Sequence, residues 1–243
     1  MTETTTALVT GANKGIGREV AAQLASLGTT VLLASRDPHR GAAAAATLGP
    51  RVHPVTLDVT DRVGVLAAAR WIEERFGRLD ILVNNAGISG DLAAQSPTSV
   101  ELPTVRDVFE TNVFGVISVT TAMLPLLARS SAARIVNVSS GLGSIARMTD
   151  PEDYFTTRPA WAAYVPSKTA LNSLTVQYAK ELRSRNILVN VADPGPCATD
   201  LTTAFPGLTR TAADGAAVVV RLATLPDDGP TGGFFDEHGP VPW

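Results

Sequence analysis

Short continuous apolar runs alternate with longer segments of helical periodicity along almost the whole of this 243-residue chain. The apolar runs are typical of strands buried on both faces, because their apolar residues follow one another instead of alternating with polar ones. Strands of this kind belong to a parallel sheet covered by helices on both sides and built from βαβ units. The predicted fold class is therefore α/β, a doubly wound parallel sheet of the Rossmann type, in a single domain over residues 1–243.

The individual elements follow from apolar spacing and from helix start and stop residues. The predicted strands cover residues 6–10, 30–34, 52–57, 79–83, 134–138 and 187–191, with a last short strand starting at Phe234-Phe235. The predicted helices cover residues 15–27, 38–48, 61–76, 104–129, 161–183 and 211–225. Residues 89–103 and 141–159 interrupt the alternation as loops, and the tail from 226 onward is expected to hold little regular structure.

Composition and charge narrow the class of protein. With 45% hydrophobic and 18% charged residues, the chain is too apolar and too weakly charged to be disordered. A formal net charge of −3 provides no basic field for nucleic acid. Residues 1–6 lack the features of a signal peptide, and no apolar stretch reaches the roughly 18 residues of a membrane helix. We expect a soluble, cytoplasmic protein that binds neither nucleic acid nor a membrane.

Cysteine and histidine usage adds two expectations. The lone cysteine, Cys197, allows no internal disulfide and suits a reducing compartment. We interpret Cys197 as a packed small residue rather than a nucleophile, because no histidine lies in a matching motif. The histidines His39, His53 and His238 lack metal-ligand spacing, so no metal is predicted.

The segment TGANKGIG at 10–17 connects the first predicted strand to the first predicted helix. Its glycines let the backbone turn sharply and approach a pyrophosphate, and the helix N-terminus provides free N–H groups. The spacing is Gly-x-x-x-Gly-x-Gly rather than Gly-x-Gly-x-x-Gly, and a tight turn without a ligand would use the same residues. The position of the turn in a βαβ unit favours dinucleotide binding.

The end of the second predicted strand, Ser35-Arg36, bears on the choice of dinucleotide. An enzyme that prefers NAD usually has an acidic side chain here, which binds the ribose 2′-hydroxyl. Ser35 cannot take that role, whereas Arg36, together with Lys14 of the turn, provides cations for a 2′-phosphate. The alternatives are that both cations are merely solvated or that Asp37 engages Arg36. We predict NADP(H) as the cofactor.

The segment YVPSK at 164–168 places a phenol and an ammonium four residues apart, on one face of a helix. Lys168 beside Tyr164 should favour the phenolate and lower its pKa, which makes the phenol a usable acid or base near neutral pH. Taken alone, such a spacing is equally typical of an ordinary helix-surface pair.

Other polar residues strengthen the case for a site. The segments NNAG at 84–87 and Ser139-Ser140 end two predicted strands at the carboxyl edge of the sheet, where ligands bind. They would also serve as turns or caps in a protein without a site. Asn112, followed shortly by Gly115, is poor helix material within 104–129, which indicates a buried amide or a local kink, although an exposed asparagine fits too.

The order and spacing of these motifs resemble those of the short-chain dehydrogenase/reductase family over essentially the whole chain. The matching segments are TGANKGIG at 10–17, NNAG at 84–87, the serine pair, YVPSK at 164–168 and PGPCATD at 194–200. Within the family, the chain is most similar to NADPH-dependent carbonyl reductases, through Asn13-Lys14, Ser35-Arg36 and the late position of Tyr164.

The resemblance implies roles for individual residues. Tyr164 would donate the proton to the carbonyl oxygen, and Lys168 would bind the nicotinamide ribose. Ser140 would polarise the carbonyl, and Asn112 would hold a water of the proton relay. The catalytic set is then Asn112, Ser140, Tyr164 and Lys168. The implied cofactor-binding set is Gly11, Asn13, Lys14, Gly15, Ile16, Gly17, Ser35, Arg36, Asp58, Val59, Asn85, Ala86, Gly87, Tyr164, Lys168, Pro194, Gly195, Cys197 and Thr199.

The chain departs from the plainest family members between Ser140 and Tyr164, which are 24 residues apart. We predict that the insertion near 141–160 covers the substrate pocket rather than forming a surface loop without substrate contact. The residues of this segment that we expect to face the substrate pocket are Met148, Tyr154, Phe155, Pro159 and Trp161. The aromatic rings indicate a hydrophobic ketone or aldehyde, unless they only bury themselves.

The predicted function is NADPH-dependent reduction of a ketone or aldehyde to an alcohol, with a small-molecule carbonyl compound as substrate. The alternatives are an alcohol dehydrogenase working in the oxidising direction, a 3-oxoacyl-thioester reductase of the same family, and a non-catalytic NADP-binding regulator. A homo-oligomer, dimer or tetramer, is expected, although the insertion would allow a monomer by obstructing the usual interface.

Overall fold

The strands of the computed structural model are β1 (Thr6–Val9), β2 (Thr30–Ser35), β3 (Val52–Thr56), β4 (Ile81–Asn84), β5 (Arg134–Val138), β6 (Leu188–Ala192), β7 (Phe234–Asp236) and β8 (Gly239–Pro240). The structure describes residues 4–203, 205 and 207–243. The strands form one sheet in the order β3-β2-β1-β4-β5-β6-β7-β8, parallel throughout except for the antiparallel pairing of β8 with β7. The order reverses between β1 and β4, so a crevice opens there at the carboxyl edge of the sheet. The predicted doubly wound α/β fold is confirmed.

The described residues form eight α-helices, and helices cover both faces of the sheet. They are α1 (Gly15–Ser26), α2 (Pro38–Ala46), α3 (Arg62–Phe76), α4 (Leu102–Phe109), α5 (Gly115–Leu127), α6 (Ile145–Thr149), α7 (Tyr164–Leu182) and α8 (Ala212–Ala223). One core lies between the sheet and α1, α2 and α8, and the other lies between the sheet and α3, α5 and α7. Along β1, Ala7 and Val9 enter the first core and Leu8 enters the second. Successive strand residues are therefore all apolar because both faces are buried.

The helix predicted at 104–129 begins and ends two residues earlier and is less regular than expected. It runs from α4 through a π-helical turn, Glu110–Phe114, into α5, a helical stretch of 26 residues at Leu102–Leu127. Its most apolar part has a mean hydropathy of 1.3, so among the described residues one helix is long and apolar enough to cross a membrane. The expectation that no apolar stretch reaches that length is wrong. Half of that part is buried in the protein, where Val119 and Met123 belong to the core, as in a core helix.

The segment predicted as the loop 141–159 contains regular structure. It holds α6 and two 3₁₀ turns, Gly141–Gly143 and Tyr154–Thr157. The polar residues that indicated a loop are in fact helix caps: Ser144 accepts a hydrogen bond from the Arg147 N–H, and Asp153 accepts one from the Phe155 N–H. These helices are too short for apolar periodicity to show.

The C-terminal tail is also more ordered than its composition indicated. Strands β7 and β8 form a hairpin, and the chain then returns to the segment around α6. The Ala146 N–H donates to the Trp243 carbonyl at 2.8 Å, and the Ser144 hydroxyl donates to the Pro242 carbonyl at 2.6 Å. The Trp243 ring stacks on the buried Phe234 ring. These contacts across the chain, which no local pattern reveals, order the tail.

Candidate active site

The glycine turn lies at the crevice between β1 and β4. Gly11 and Gly15 have φ angles of 62° and 56°, which favour glycine. A Cβ on Gly17 would lie 2.3 Å from the Asn85 amide nitrogen. The turn is held by the side chain of Asn85, whose amide donates to the carbonyls of Thr10 and Gly11 at 2.8 and 3.2 Å. The predicted strand–turn–helix geometry is present.

The N-terminus of α1 fits the pyrophosphate of a dinucleotide. Its N-cap residue, Lys14, makes no side-chain cap, and the first turn of α1 contains no acidic residue. The N–H groups at the start of α1 therefore keep their capacity to bind an anion, which the helix dipole also favours.

Arg36 is exposed beyond the end of β2, and no acidic side chain among the described residues pairs with it. Ser35 is buried and donates its hydroxyl proton to the Asp37 carbonyl. The alternative in which Asp37 engages Arg36 is wrong. Asp37 caps α2 and lies 3.3 Å from the guanidinium of Arg40.

Lys14 is not a free cation, in contrast to the prediction. Its ammonium donates to the Asp200 carboxylate at 2.6 Å, in an exposed ion pair between the glycine turn and the loop after β6. Lys14 and, more weakly, Arg40 hold the pKa of Asp200 below its ordinary value, which places Arg40 at the same edge. Sequence reasoning assigned no role to Arg40 or Asp200, although Arg40 lies only four residues after Arg36.

Asp58 and Val59 follow β3 at the same carboxyl edge. The Asp58 carboxylate accepts hydrogen bonds from the N–H and hydroxyl of Thr60, the latter at 2.7 Å. Val59 is buried beside Gly115, where a Cβ would come within 2.8 Å of the valine side chain. Both residues lie outside the main pocket, so their contact with an adenine remains a prediction.

Ser140, Tyr164 and Lys168 converge at the carboxyl ends of β5 and β6. The side chains of Tyr164 and Ser140 are hydrogen-bonded. The Lys168 ammonium donates to the Val138 carbonyl at 2.9 Å and lies 5.8 Å from the centroid of the Tyr164 ring. Tyr164 and Lys168 are both buried, at 8% and 5% exposure, so the pair is part of the interior and not a helix-surface pair.

Burial dominates the protonation of this pair. It raises the pKa of Tyr164 to about 12, against the opposing effect of the hydrogen bond with Ser140. It lowers the pKa of Lys168 to about 8, against the opposing effect of Asp193. The prediction of a lowered pKa for Tyr164 is wrong in this structure: desolvation of the phenol raises the pKa, and the Lys168 ammonium, which is bonded to the Val138 carbonyl, does not outweigh it.

Gln95 positions the start of α7, and sequence reasoning missed it. It is fully buried and accepts a hydrogen bond from the Tyr164 N–H at 2.9 Å. The N-cap residue of α7, Ala163, cannot provide such a bond. A glutamine in a predicted loop gives no signal of this role, because the contact joins residues far apart in the chain.

Asn112 lies behind the pocket, buried in the π-helical turn. Its side chain accepts a hydrogen bond from the Ile88 N–H at 2.9 Å and donates to the Ile88 carbonyl and to the Ser167 hydroxyl. The structure thus contains both the buried amide and the helix irregularity that the sequence indicated. The amide joins the segment after β4 to α7, while its role toward a relay water stays a prediction.

A cavity of about 450 Å³ contains these groups. The predicted site residues that line it are Ile16, Asn85, Gly87, Ser140, Tyr164, Lys168, Pro194, Gly195, Cys197 and Thr199. The remaining wall is largely apolar and includes Leu92, Leu142, Tyr154, Phe155, Trp161, Leu201, Phe205 and Leu208. The insertion therefore lines the pocket as predicted, through three of its five named residues, whereas Met148 and Pro159 do not line it.

The second wall of the cavity comes from the loop after β6, which sequence reasoning did not assign to the substrate. Phe205 meets Trp161 edge to face, with ring centroids 6.2 Å apart.

Cys197 is buried, and its thiol donates a hydrogen bond to the Pro194 carbonyl at 3.4 Å. Burial raises the pKa of this thiol. These features agree with its interpretation as a packed residue.

Comparisons with known proteins agree with this geometry. The family model of the short chain dehydrogenases matches residues 5–207. Short-chain dehydrogenase anuI of Penicillium roqueforti is 40% identical over 228 residues, covering 89% of this chain and 87% of the relative. The structure of an NADPH-bound carbonyl reductase from chicken fatty liver has a TM-score of 0.87 at 29% identity, covering 99% of this chain and 100% of that chain.

A second solved structure widens the comparison. The 3-ketoacyl-(acyl-carrier-protein) reductase from Brucella melitensis, complexed with NADH, has a TM-score of 0.85 at 28% identity and covers 97% of each chain. The fold, the site and these similarities together define an oxidoreductase built on a doubly wound sheet. The chain belongs to the short-chain dehydrogenase family.

Proposed function

We propose that this protein is an NADPH-dependent reductase that converts the ketone or aldehyde carbonyl of a hydrophobic small molecule to an alcohol. The observation that carries the proposal is the convergence of Ser140, Tyr164 and Lys168 in one largely apolar cavity beside the glycine turn. A protein that only bound a dinucleotide would not need a buried phenol paired with a hydroxyl, so the regulator alternative is disfavoured.

The proton is supplied by Tyr164. Because its pKa is about 12, the phenol keeps its proton at neutral pH and can give it to a carbonyl oxygen that is gaining negative charge. The Ser140 hydroxyl, bonded to the same phenol, would donate a second hydrogen bond to that oxygen. The protonated Lys168 stabilises the charge that remains on Tyr164 after transfer. When bound, the reduced nicotinamide would supply the hydride to the carbonyl carbon.

The residues around the crevice would hold the dinucleotide. The N-terminus of α1 would bind the pyrophosphate, and Lys168 would bind the nicotinamide ribose. Pro194, Gly195, Cys197 and Thr199 would face the nicotinamide end, since they line the cavity next to Tyr164.

Arg36 supports a preference for NADPH. Its guanidinium, which pairs with no acidic side chain of the described residues, lies at the end of β2, where the adenosine ribose sits in this fold. Arg40 would add positive charge at this edge. Lys14 would do the same if its ammonium leaves Asp200 and binds the phosphate instead. The chicken reductase, crystallised with NADPH, is consistent with this preference, whereas the Brucella reductase contains NADH, so the two cofactors must be compared directly.

We further propose a cytoplasmic homo-oligomer. Leu102 and Phe114, at the start and middle of the long α4–α5 stretch, are 64% and 52% exposed, which a subunit interface would cover. Light scattering after gel filtration would test this, and a monomeric mass at micromolar protein concentration would contradict it.

The function is tested by following NADPH consumption against free hydrophobic ketones, aldehydes and a 3-oxoacyl thioester, with NADH in parallel and alcohols in the oxidising direction. Consumption with a free ketone, lost in Tyr164→Phe, is the expected result. A strong preference for the thioester would favour the alternative of a 3-oxoacyl-thioester reductase, the activity for which the Brucella protein is named. Tight NADPH binding without any turnover would favour the regulator.

A further inference from the structure

Asp193 is a buried carboxylate in the wall of the cavity, and none of the roles proposed above involves it. It follows β6 directly and is 6% exposed. Its Oδ1 accepts a hydrogen bond from the Gly195 N–H at 2.9 Å, and the Gly141 N–H faces its carboxylate. It thus joins the turn at the end of β5, which carries Ser140, to the turn after β6, which faces the nicotinamide end.

The contact with the first of these turns is close. A Cβ added to Gly141 would lie 2.7 Å from the Asp193 Oδ2 and 2.7 Å from the Phe155 ring. The backbone next to Ser140 therefore rests directly on the carboxylate, between it and the aromatic wall. Displacing the carboxylate would move Ser140 relative to Tyr164.

Charged and titratable groups face Asp193 from three elements. Tyr164 and Lys168 approach from α7, Arg147 from α6, and Asp236 from β7. Burial raises the pKa of Asp193, while the N–H groups of Gly195 and Gly141 and the charge of Arg147 oppose that rise. Among the described residues, Asp193 is the one negative group that raises the pKa of Lys168 against the effect of burial.

We propose that Asp193 is a positioning residue of this reaction: its carboxylate fixes the Ser140–Gly141 turn against the Pro194–Gly195 turn, and its negative charge balances the buried Lys168 ammonium, which is bonded to Val138, the strand partner of Ala192. The catalytic part of this inference rests on the proposed reductase function. The electrostatic part concerns Lys168 alone and can be tested without any substrate.

The substrate-free test uses the small number of lysines. The sequence contains three, Lys14, Lys168 and Lys180, so isotope-labelled lysine gives three side-chain NMR signals that Lys14→Arg and Lys180→Arg assign. In the wild type, Lys168 should titrate near pH 8. In Asp193→Asn, which keeps the side-chain size but removes the charge, that titration should fall by about 1 pH unit. An unmoved Lys168 titration in folded Asp193→Asn overturns the proposal.

Asp80 provides the matched control. It is also a buried carboxylate, but it lies at the opposite edge of the sheet, where it accepts hydrogen bonds from the Thr6 N–H and the Ser130 hydroxyl. Asp80→Asn should lower thermal stability and leave the titration of Lys168 in place. If Asp193→Asn does not fold, Asp193→Ser removes the same charge with a smaller side chain and is measured in the same way.

The catalytic part is tested by the pH dependence of kcat/KM for a ketone that the wild type reduces. Because Lys168 must be protonated, the alkaline limb of Asp193→Asn should move to lower pH. The ratio of wild-type to variant kcat/KM should therefore grow toward about tenfold above pH 8 and fall to a constant value at lower pH, where Lys168 is protonated in both enzymes. A ratio that is constant with pH would indicate a purely structural role and overturn this part. Absence of wild-type turnover would reject the reductase function and leave the Lys168 titration to decide.

Discussion

The cofactor side and the substrate side of the crevice are built in different ways. On the cofactor side, Gly11, Gly15 and Gly17 shape one short turn, and their backbone angles and close contacts demand glycine. On the substrate side, the wall combines side chains from 3₁₀ turns, from α7 and from the loop after β6. The difference teaches that a site made by backbone geometry within one turn is visible in the sequence, whereas a wall assembled from distant side chains is not.

Tyr164 lies between the cofactor side and the substrate side. If the two sides act separately, a substitution of Tyr164 should lower turnover without changing the affinity for either ligand. Tyr164→Phe should lower kcat by about 10²–10⁴ because the proton donor is lost. The affinity for NADPH, measured by fluorescence titration, should remain unchanged, since the phenol contributes no charge at neutral pH. Full turnover in this variant would reject the proposed chemistry.

The cofactor side is tested next by Arg36→Asp. Loss of a charge-assisted hydrogen bond to a 2′-phosphate should weaken NADPH by about 1.5–3 kcal/mol and leave NADH unaffected. Arg70→Asp, on the exposed face of α3, makes the same change of net charge on a different element and should alter neither affinity. Equal losses for NADPH and NADH would show that Arg36 does not read the phosphate.

At the glycine turn, the effect of steric crowding can be separated from the effect of backbone strain. Gly11 and Gly28 both have positive φ, but a Cβ on Gly11 would lie 2.9 Å from the Ala86 backbone, whereas a Cβ on Gly28 meets nothing within 4 Å. Gly11→Ala should cost about 1–3 kcal/mol of stability through crowding and also weaken NADPH. Gly28→Ala should cost stability through strain alone. Chemical denaturation and cofactor titration of both variants would measure this, and equal cofactor affinities would contradict it.

The smallest effect is expected on the substrate side. Trp161→Ala removes an aromatic ring from the cavity wall, and an aromatic contact with the substrate is worth about 0.5–1.5 kcal/mol. KM for a hydrophobic ketone should rise by the corresponding factor, about 2- to 10-fold, while the Kd of NADPH stays constant. Trp71→Ala, which disrupts a contact with Phe76 on α3, should lower stability without changing KM. A matching KM increase in both variants would reject a substrate role for Trp161.

The sequence by itself determined the fold and the centre of the site. Apolar runs continuous over strands such as β1 and β2 required burial on both faces, and therefore a parallel sheet between two helical layers. The strand–glycine turn–helix order placed the anion-binding end of α1, and the four-residue spacing of Tyr164 and Lys168 put both on one helix face. These features depend on local backbone geometry or on periodicity, so a single sequence contains them.

Only the tertiary structure decided the protonation of the pair and the partners of the surrounding charges. Burial, not Lys168, sets the pKa of Tyr164, and Asp200, distant in sequence, takes the ammonium of Lys14. Gln95 and Asp193 act through contacts with Tyr164 and Gly141 that no spacing predicts. The physical reason is that desolvation and ion pairing depend on which groups the folded chain brings within a few ångströms, and those groups come from separate elements.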